Sequence, residues 1–441
     1  MDRFRLWFVR NEYVNAVLFC DTLGVYSITD KEKELLLRMN SGAAAEDSRE
    51  KERIEAIFEH EQKAAERMAE KSCDVYPFYT LILNVANSCN MSCKYCFANH
   101  GTYDSQAGLM QAETAIKAVD SCIADYGRIG EIKFFGGEPF LALPVMQAVT
   151  AHVSELYNKG AIGRLPEYRV ISNGTIMSDA AAEWIRDNNI QYVVSIDGER
   201  EIHDSARIMS SGEGSYARIM ENLAYIRGKY GLVPSGIELT YNGTHEQNRA
   251  ELLSQLRLLH ESTGAASETI NLSPVMTSAD NACAAADLKY ALADYIDEIT
   301  DELRRGGKNY ADKKLRGLVR IIRGRMRSGN CICEAGTGTL AVSASGEIYP
   351  CLMLVDKREY LMGRVGDSVK ECSDSFVSRM PEPSRLKTEP CNSCPINRIC
   401  RECMGINLFQ SGKTDVPDKR QCLLNISRVE KAVLAIAEGI L

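Results

Sequence analysis

The sequence predicts an α/β protein built on six parallel strands, a partial (βα)6 barrel of the TIM-like kind. Three observations predict it: strand-like and helix-like segments alternate from Tyr79 onward, polar motifs follow the strands, and the 16 cysteines concentrate in two groups. Repeated strand–helix units favour parallel pairing, and in such folds functional side chains gather where the strands end. We expect smaller modules before and after the barrel.

Composition and charge exclude several classes of protein. The chain has 441 residues, 45% hydrophobic and 25% charged, so collagen-like and largely disordered chains are excluded. A formal net charge of −8 provides no general positive field for a phosphate backbone, so we expect no nucleic-acid partner. No apolar run reaches the roughly 18 residues of a membrane span, and the N-terminus lacks signal-peptide features. We therefore expect a cytoplasmic protein with no membrane partner and with reduced cysteines.

The first 75 residues predict a small module of strands and helices. Three short apolar runs indicate strands, at residues 4–9, 16–19 and 24–28. Thr29 precedes a helix predicted over residues 31–39, and residues 46–71 place apolar side chains on one face at helical spacing. We therefore expect residues 1–75 to form one unit ahead of the barrel.

From residue 79 the pattern changes to strands that alternate with amphipathic helices. The strand predictions cover residues 80–85, 131–135, 168–172, 191–196, 236–241 and 269–272. The helix predictions between them cover residues 111–126, 144–156, 179–188, 216–230 and 249–259. Six strands, each followed by a helix, predict a parallel sheet that is closed or nearly closed into a barrel over residues 76–285.

The remainder of the chain is predicted as two further parts. Residues 286–328 indicate a helical bridge, and residues 329–441 a cysteine-rich domain that ends in a helix over 427–440. Up to residue 422 this domain is rich in Cys, Gly and turn residues and shows little periodicity. Because such a segment builds little apolar core, we expect bound metal to hold it together.

The first chemical motif is Cys89-x3-Cys93-x2-Cys96, directly after the first barrel strand. Three thiolates at this spacing can hold three irons of a cubane iron–sulfur cluster and leave the fourth iron open to a small molecule. The aromatic residues Tyr95 and Phe97 would shield such a cluster from water. The alternatives are a zinc site that lacks its fourth ligand and a set of packed thiols.

Polar motifs follow the next strands of the predicted barrel. In chain order they are Gly136-Gly137-Glu138-Pro139, Ser172-Asn173-Gly174-Thr175, Val194-Ser195-Ile196-Asp197-Gly198 and Arg207. Paired glycines let a backbone approach a ligand closely, and the polar groups suit an ammonium, a diol and a carboxylate. Taken singly, each motif can also be a turn or a helix cap.

Together these motifs resemble the signature of the radical S-adenosylmethionine (SAM) enzymes, over about residues 79–275. The resemblance implies that Cys89, Cys93 and Cys96 hold a [4Fe–4S] cluster whose free iron chelates SAM. In that family, electron transfer cleaves SAM to methionine and a 5′-deoxyadenosyl radical, which abstracts hydrogen from the substrate. The implied contacts are Tyr95 and Phe97 beside the cluster, Gly136, Gly137, Glu138 and Pro139 at the SAM amino group, Ser172, Asn173, Ser195 and Asp197 at the ribose and methionine, and Arg207 at the carboxylate.

The second cysteine group comprises Cys331, Cys333, Cys351, Cys391, Cys394, Cys400, Cys403 and Cys422. It resembles the SPASM extension of radical SAM enzymes that modify peptides and proteins, which implies two auxiliary clusters and three [4Fe–4S] clusters in all. By this resemblance, the outer cluster is held by Cys391, Cys394, Cys400 and Cys422. The inner cluster is held by Cys333, Cys351 and Cys403, with Cys331 as the candidate fourth ligand. The last gap in the four-cysteine block is two residues where three is usual, and a zinc ribbon is the alternative.

Residues 98–110 and Glu334-Ala-Gly336 resemble the SPASM enzymes that mature ribosomally made peptides, particularly the thioether-forming maturases of sactipeptides, ranthipeptides and SCIFF peptides. The implied function is a thioether crosslink from a cysteine sulfur to a backbone or side-chain carbon of a precursor peptide. The N-terminal module weakly resembles a winged-helix recognition element (RRE), whose strand at residues 24–28 would offer an edge to the leader peptide. The alternative for the module is a simple cap on the barrel. A flavodoxin- or ferredoxin-type protein is the implied reductant.

Other functions stay open from the sequence. A carbon–carbon crosslink can arise from the same radical chemistry. Anaerobic sulfatase-maturing enzymes share the architecture, but in that family an aspartate follows the cysteine that corresponds to Cys351, where this chain has Leu352. A function of another class is a non-catalytic iron–sulfur or zinc protein that carries electrons or scaffolds a partner. In such a protein the motifs at residues 136–139 and 172–175 and Arg207 would have no role. We therefore predict a radical SAM peptide maturase.

Overall fold

The computed structural model describes most of the chain. The described residues are 4–44, 48–69, 76–103, 105–247, 252–266, 269–277, 281–284, 288–305, 313–327, 333–379, 389–400 and 402–441. Cys331, the candidate fourth ligand of the inner cluster, lies outside these ranges.

The N-terminal residues form a three-stranded antiparallel sheet covered by two helices. In chain order these elements are β1 (Leu6–Arg10), β2 (Asn15–Phe19), β3 (Gly24–Ser27), α1 (Asp30–Asn40) and α2 (Arg49–Ala69). Strand β2 lies in the centre, so β1 and β3 are the two edges. Thr29 and Glu32 form a capping box that begins α1. One face of the sheet packs on α1 and α2 through apolar side chains such as Phe19 and Phe58.

The central sheet contains the six parallel strands that the sequence predicts. Its first strands and helices are β4 (Thr80–Asn87), β5 (Gly108–Leu109), α3 (Ala112–Tyr126), β6 (Glu131–Gly136), α4 (Leu143–Asn158), β7 (Glu167–Ser172), α5 (Asp179–Asp187), β8 (Gln191–Ser195), α6 (Arg200–Ala206), α7 (Tyr216–Tyr230), β9 (Gly236–Tyr241), α8 (Gly243–Gln247), α9 (Leu252–Thr263) and β10 (Ile270–Pro274). Strands β4, β6, β7, β8, β9 and β10 are adjacent in that order, each parallel to the next. The predicted barrel class is therefore confirmed, and its strand ends share one edge.

The C-terminal part extends this sheet in a way that the sequence did not indicate. Its elements are α10 (Leu288–Arg304), α11 (Lys313–Arg323), β11 (Thr339–Val342), β12 (Glu347–Tyr349), β13 (Gly363–Arg364), α12 (Val369–Arg379), α13 (Met404–Ser411) and α14 (Lys419–Glu438). Strand β11 pairs parallel with β4, and β12 and β13 follow antiparallel. The sheet therefore runs in one open path from β10 to β13.

The last helix is longer than predicted. It begins at Lys419 rather than at residue 427, because the Asp418 side chain accepts a hydrogen bond from the Arg420 N–H at 2.8 Å and caps it. Cys422 therefore lies in the first turn of α14. This helix packs against the N-terminal sheet and against α10 and α11. Within the described ranges, no helix combines the length and the apolar character needed to cross a membrane.

Candidate active site

The loop after β4 carries Cys89, Cys93 and Cys96, all half-buried thiols. Its backbone is hydrogen-bonded to the end of α6 and the residues that follow: the Ser92 N–H donates to the Ile208 carbonyl at 2.8 Å, and the Lys94 N–H donates to the Ala206 carbonyl at 2.9 Å. Burial raises the pKa of Cys89 to about 11, and the negative neighbours Glu138, Cys93 and Cys96 add to the shift. The thiolate form of Cys89 therefore needs a positive centre beside it.

Two glycines allow the end of β6 to lie directly against this loop. The Gly137 N–H donates to the Ala86 carbonyl at 2.7 Å. A Cβ atom on Gly137 would lie 2.2 Å from the Ser88 carbonyl oxygen and 2.9 Å from the Gly101 Cα. Gly101 has a φ of +93°, and a Cβ there would lie 3.0 Å from the Cys89 Cβ. No side chain fits between the glycine segment and the cysteine loop, which explains the glycine at each position.

Glu138 is fully buried and bonded to the neighbouring strand end. Its carboxylate accepts hydrogen bonds from the Asn173 N–H at 2.8 Å, the Ser172 hydroxyl at 2.9 Å and the Phe140 N–H at 3.0 Å. Burial raises the pKa of this carboxyl group. Pro139 follows it and is also buried. These contacts give Glu138 and Ser172 a structural role, while their contact with SAM stays a prediction.

Asn173 connects the end of β7 to the cysteine loop. Its Nδ2 donates to the Asn90 Oδ1 at 2.9 Å and lies 3.8 Å from the Cys89 sulfur. Its Oδ1 accepts from the Thr175 N–H at 2.9 Å. A side-chain amide within reach of a ligating sulfur is a donor that can stabilise a thiolate.

Tyr95, Asp197 and Arg207 form one buried group beside the cysteines. The Tyr95 hydroxyl donates to the Asp197 carboxylate and accepts from the Arg207 Nη1 at 2.9 Å. Asp197 also accepts from the Thr240 N–H at 3.0 Å. The buried Nε of Arg207 makes no hydrogen bond with the described atoms. Tyr95 is thus held by polar contacts as well as by packing, and the structure brings together three residues that the motifs predict.

Two further residues of the predicted site, Ser195 and Phe97, lie apart from these hydrogen-bonded side chains. Ser195 is half-buried at the end of β8. Phe97 packs at the edge of an apolar cluster with Tyr103, the two ring centroids being 6.1 Å apart. Leu352 and Val355, which follow Cys351, belong to the same cluster. The cysteine loop of the barrel therefore contacts the C-terminal region directly.

Two buried histidines, which the sequence analysis did not select, hold the Asp197 backbone. The His203 Nδ1 accepts from the Asp197 N–H at 3.2 Å, and the His245 Nε2 lies 2.6 Å from the Asp197 carbonyl oxygen. Burial lowers the pKa of both histidines, and the Nδ1 of each accepts a backbone N–H, as only an unprotonated ring nitrogen can. His203 lies four residues before Arg207, and this proximity was the only sequence signal for its role.

The described cysteines of the second group fall into two sets. Burial raises the pKa of Cys422 to about 12, and the negative neighbours that add to the shift are Glu402, Cys400, Cys391 and Cys394. Burial also raises the pKa of Cys351, with Cys333 and Cys403 as its negative neighbours. The structure thus groups the same residues as the predicted outer and inner sets, while their roles as ligands stay predictions.

The donor set at the end of β4 fits a [4Fe–4S] cluster that carries SAM. Three half-buried thiols share one loop, the Asn173 amide lies 3.8 Å from one sulfur, and the buried Arg207 has an unused Nε. Among the described residues, no three Cys, His, Asp or Glu side chains are grouped as ligands of a single metal ion.

Comparison with known proteins identifies the domain. Residues 83–259 match the family model described as the radical SAM superfamily. A relative from Bacteroides thetaiotaomicron, a serine-type anaerobic sulfatase-maturating enzyme, is 28% identical over 159 residues. That alignment covers 35% of this chain and 38% of the relative, so this chain spans well under two thirds of the relative's length.

Two solved structures share the fold over most of the chain. Native anSMEcpe with bound AdoMet is 20% identical, with a TM-score of 0.67 over 83% of this chain and 100% of the other. Streptococcus suis SuiB bound to the precursor peptide SuiA is 13% identical, with a TM-score of 0.56 over 95% of this chain and 99% of the other. At these identities the similarity establishes the fold. The cysteine loop at the end of β4 lies within residues 83–259, the segment of this chain that matches the radical SAM superfamily.

Proposed function

We propose that this protein is a radical SAM maturase that installs a thioether crosslink in a ribosomally made precursor peptide. One observation carries the proposal: the segment after Cys351 packs against the barrel's cysteine loop. Leu352 and Val355 share an apolar cluster with Phe97, and the Asp356 carboxylate lies 3.5 Å from the Asn87 Nδ2 at the end of β4. A peptide cysteine held near the inner set would therefore lie beside the site of radical formation.

The chain's own residues would bind and orient the reactants. Cys89, Cys93 and Cys96 would hold the cluster, and Arg207 would offer its free Nε to the SAM carboxylate. When bound, the cluster and SAM supply a one-electron route to a radical that takes hydrogen from a peptide carbon. Tyr95, with its hydroxyl bonded to Asp197 and Arg207, would close one side of this site against water.

The C-terminal cysteines would hold two auxiliary clusters, making three [4Fe–4S] clusters in all. Cys391, Cys394, Cys400 and Cys422 would hold the outer cluster, and Cys333, Cys351 and Cys403 the inner one. The grouping of these cysteines in the structure supports this assignment. Under this proposal the protein works in the cytoplasm and receives electrons from a flavodoxin- or ferredoxin-type protein.

The precursor peptide would bind through its leader at the N-terminal module. Strand β3 is an edge strand of that module, so a peptide strand can add to it. The Ser27 carbonyl already accepts a hydrogen bond from Arg53 at 2.8 Å, so the leader would pair with the part of β3 that precedes it. The solved structure of SuiB with its precursor peptide supports a peptide substrate for this fold.

Sulfatase maturation is the second candidate function, because several relatives are anaerobic sulfatase-maturating enzymes of the serine or cysteine type. The half-buried Leu352 occupies the position of that family's aspartate and counts against it. A carbon–carbon crosslink from the same radical is a third outcome. The product, rather than SAM cleavage, distinguishes these functions.

The first experiment measures SAM cleavage by the anaerobically reconstituted protein. We expect about twelve irons per chain and formation of 5′-deoxyadenosine with dithionite. The variant Cys89→Ala/Cys93→Ala/Cys96→Ala should lose about four irons and all SAM cleavage, because the barrel loop can no longer hold a cluster. Cys122→Ala is the matched control, since that buried thiol lies in α3 and should leave both values unchanged.

The second step incubates the active protein with Cys-containing peptides encoded near its gene and analyses them by mass spectrometry. A thioether removes two hydrogen atoms from the peptide and blocks alkylation of one cysteine. Loss of two hydrogens with every cysteine still alkylatable would indicate either a carbon–carbon crosslink or a serine oxidised to an aldehyde, and reaction with a hydrazine would identify the aldehyde. If the protein holds its full iron content but does not cleave SAM, the remaining functions are those of an electron carrier or a scaffold.

A further inference from the structure

Arg5 of the N-terminal module contacts the loop of the outer cysteine set. Its Nη1 donates to the Asn392 carbonyl at 3.1 Å, and its Nη2 donates to the Asn397 Oδ1 at 2.8 Å. Both asparagines lie between Cys391 and Cys400. A residue at the start of the chain therefore holds the backbone and a buried side chain of the loop that would carry the outer cluster.

Arg5 is itself held in place by a carboxylate of the module. The Asp21 carboxylate accepts from the Arg5 Nη2 at 2.8 Å and from the Arg5 Nε at 3.1 Å. This two-point contact fixes the guanidinium plane and raises the pKa of Arg5, to which the negative charge of Cys394 also contributes. The Arg5 charge is therefore close enough to act on the outer cysteine set.

A second arginine, Arg398, lies on this side of the loop. The Arg398 Nε lies 3.7 Å from the same Asp21 carboxylate, and burial together with Arg327 and Arg5 lowers the pKa of Arg398. Glu402 lies beside Cys422 and Cys394, and the Glu389 carboxylate accepts from the Ser393 hydroxyl at 2.9 Å. Carboxylates therefore lie near the loop as well, and Arg5 is a cation whose guanidinium bonds to the loop itself.

We propose that Arg5 is a positioning residue through which the N-terminal module sets the reduction potential of the outer auxiliary cluster. This inference rests on the proposed function, because it requires the outer cysteines to hold a cluster. A four-thiolate cluster is anionic and gains negative charge on reduction, so a fixed cation beside it favours the reduced form. Arg5 raises the potential of the outer cluster, and Asp21 lowers it.

The test uses the full chain with Cys89→Ala/Cys93→Ala/Cys96→Ala as background, so that only auxiliary clusters are observed. The background protein is reconstituted anaerobically, its iron is counted, and each cluster is titrated electrochemically with detection by electron paramagnetic resonance. Arg5→Met should lower the potential of one of the two clusters, and Asp21→Asn should raise the potential of the same cluster. Arg10→Met, a charge loss at an exposed position of β1, is the matched control and should shift neither.

The opposite directions of the two expected shifts in reduction potential distinguish an electrostatic role of Arg5 from a structural one. Both Arg5→Met and Asp21→Asn break the same ion pair, so a loosened loop would shift both potentials in the same direction. The inference would be overturned if both variants shift the potential in the same direction, if neither variant shifts it, or if both variants lose the iron of the outer cluster. A background protein without iron would contradict the auxiliary clusters themselves and hence the proposed function.

Discussion

Two carboxylates at the strand ends, Glu138 and Asp197, are bonded to the protein's own backbone. Glu138 accepts from the Asn173 N–H, 35 residues away, and Asp197 from the Thr240 N–H, 43 residues away. Their motifs predict ligand contacts, because a carboxylate after a strand suits an ammonium group. In the structure both are completely buried and join neighbouring strand ends. The contact of these carboxylates with a ligand stays a prediction, and their bonds within the protein depend on partners that no local sequence pattern shows.

The neutral state of His203 predicts a dependence of stability on pH. Burial, and then the charge of Arg207, lowers its pKa well below 6.5, the usual value to which it returns on unfolding. The unfolded chain therefore takes up a proton first as the pH falls, so His203 contributes stability above pH 6.5 that is lost below it. The loss is at most about 1.4 kcal/mol per pH unit.

Thermal unfolding of the iron-free protein across this pH range measures the effect. His203→Gln should flatten the fall in melting temperature between neutral and acid pH, whereas His100→Gln, at an exposed position, should not. An unchanged slope in His203→Gln would show that folding does not lower the pKa of His203.

Among the elements, the close approach of β6 and the loop after β4 determines the geometry of the cysteine loop. The N–H groups of Gly137 and Glu138 donate to the carbonyls of Ala86 and Ser88 at 2.7 and 2.9 Å. The sequence predicted both strands and the glycine pair, because each has a local pattern. From the sequence, the glycine pair was interpreted as a place where the backbone approaches a ligand. The structure shows that the close approach of the neighbouring backbone already requires glycine there.

Gly137→Ala tests this contact. The new Cβ would lie 2.2 Å from a backbone oxygen, so the cysteine loop must move, at a cost of about 1–3 kcal/mol in the free energy of unfolding. Displacement of the ligand loop should also lower the rate of SAM cleavage by about 100-fold. Gly163→Ala is the matched control, since nothing lies within 4 Å of its added Cβ. Equal activity of the two variants would disprove the steric argument.

At the scale of the whole molecule, the N-terminal module is held to the rest of the chain by a buried ion pair. Glu61 of α2 is completely buried and accepts from both terminal nitrogens of Arg325, at 2.6 and 2.9 Å. Burial raises the pKa of Glu61, but the hydrogen bonds from Arg325, Thr22 and Tyr26 outweigh it and lower the pKa overall. The module therefore depends on a residue that follows α11.

Removal of this arginine should loosen the module. Arg325→Met leaves the Glu61 charge buried and unpaired, which should destabilise the protein by about 3–5 kcal/mol. Urea unfolding of the iron-free protein measures the loss. Adding Glu61→Gln to this variant should recover part of it, because the unpaired charge is removed. Arg316→Met, at an exposed position of α11, should have little effect, and an equal loss in that control would argue against the ion pair.

The sequence by itself determined the barrel, the order of the motifs at its strand ends and the two cysteine groups. These features have local patterns, since strand periodicity, ligand spacing and glycine pairs each lie within a few residues. Only the tertiary structure decided that β11 pairs with β4, that Glu138 and Asp197 bond to the backbone, and that Arg5 reaches the outer cysteine loop 387 residues along the chain. Burial and the choice of partners depend on packing between distant segments, which sequence spacing does not encode.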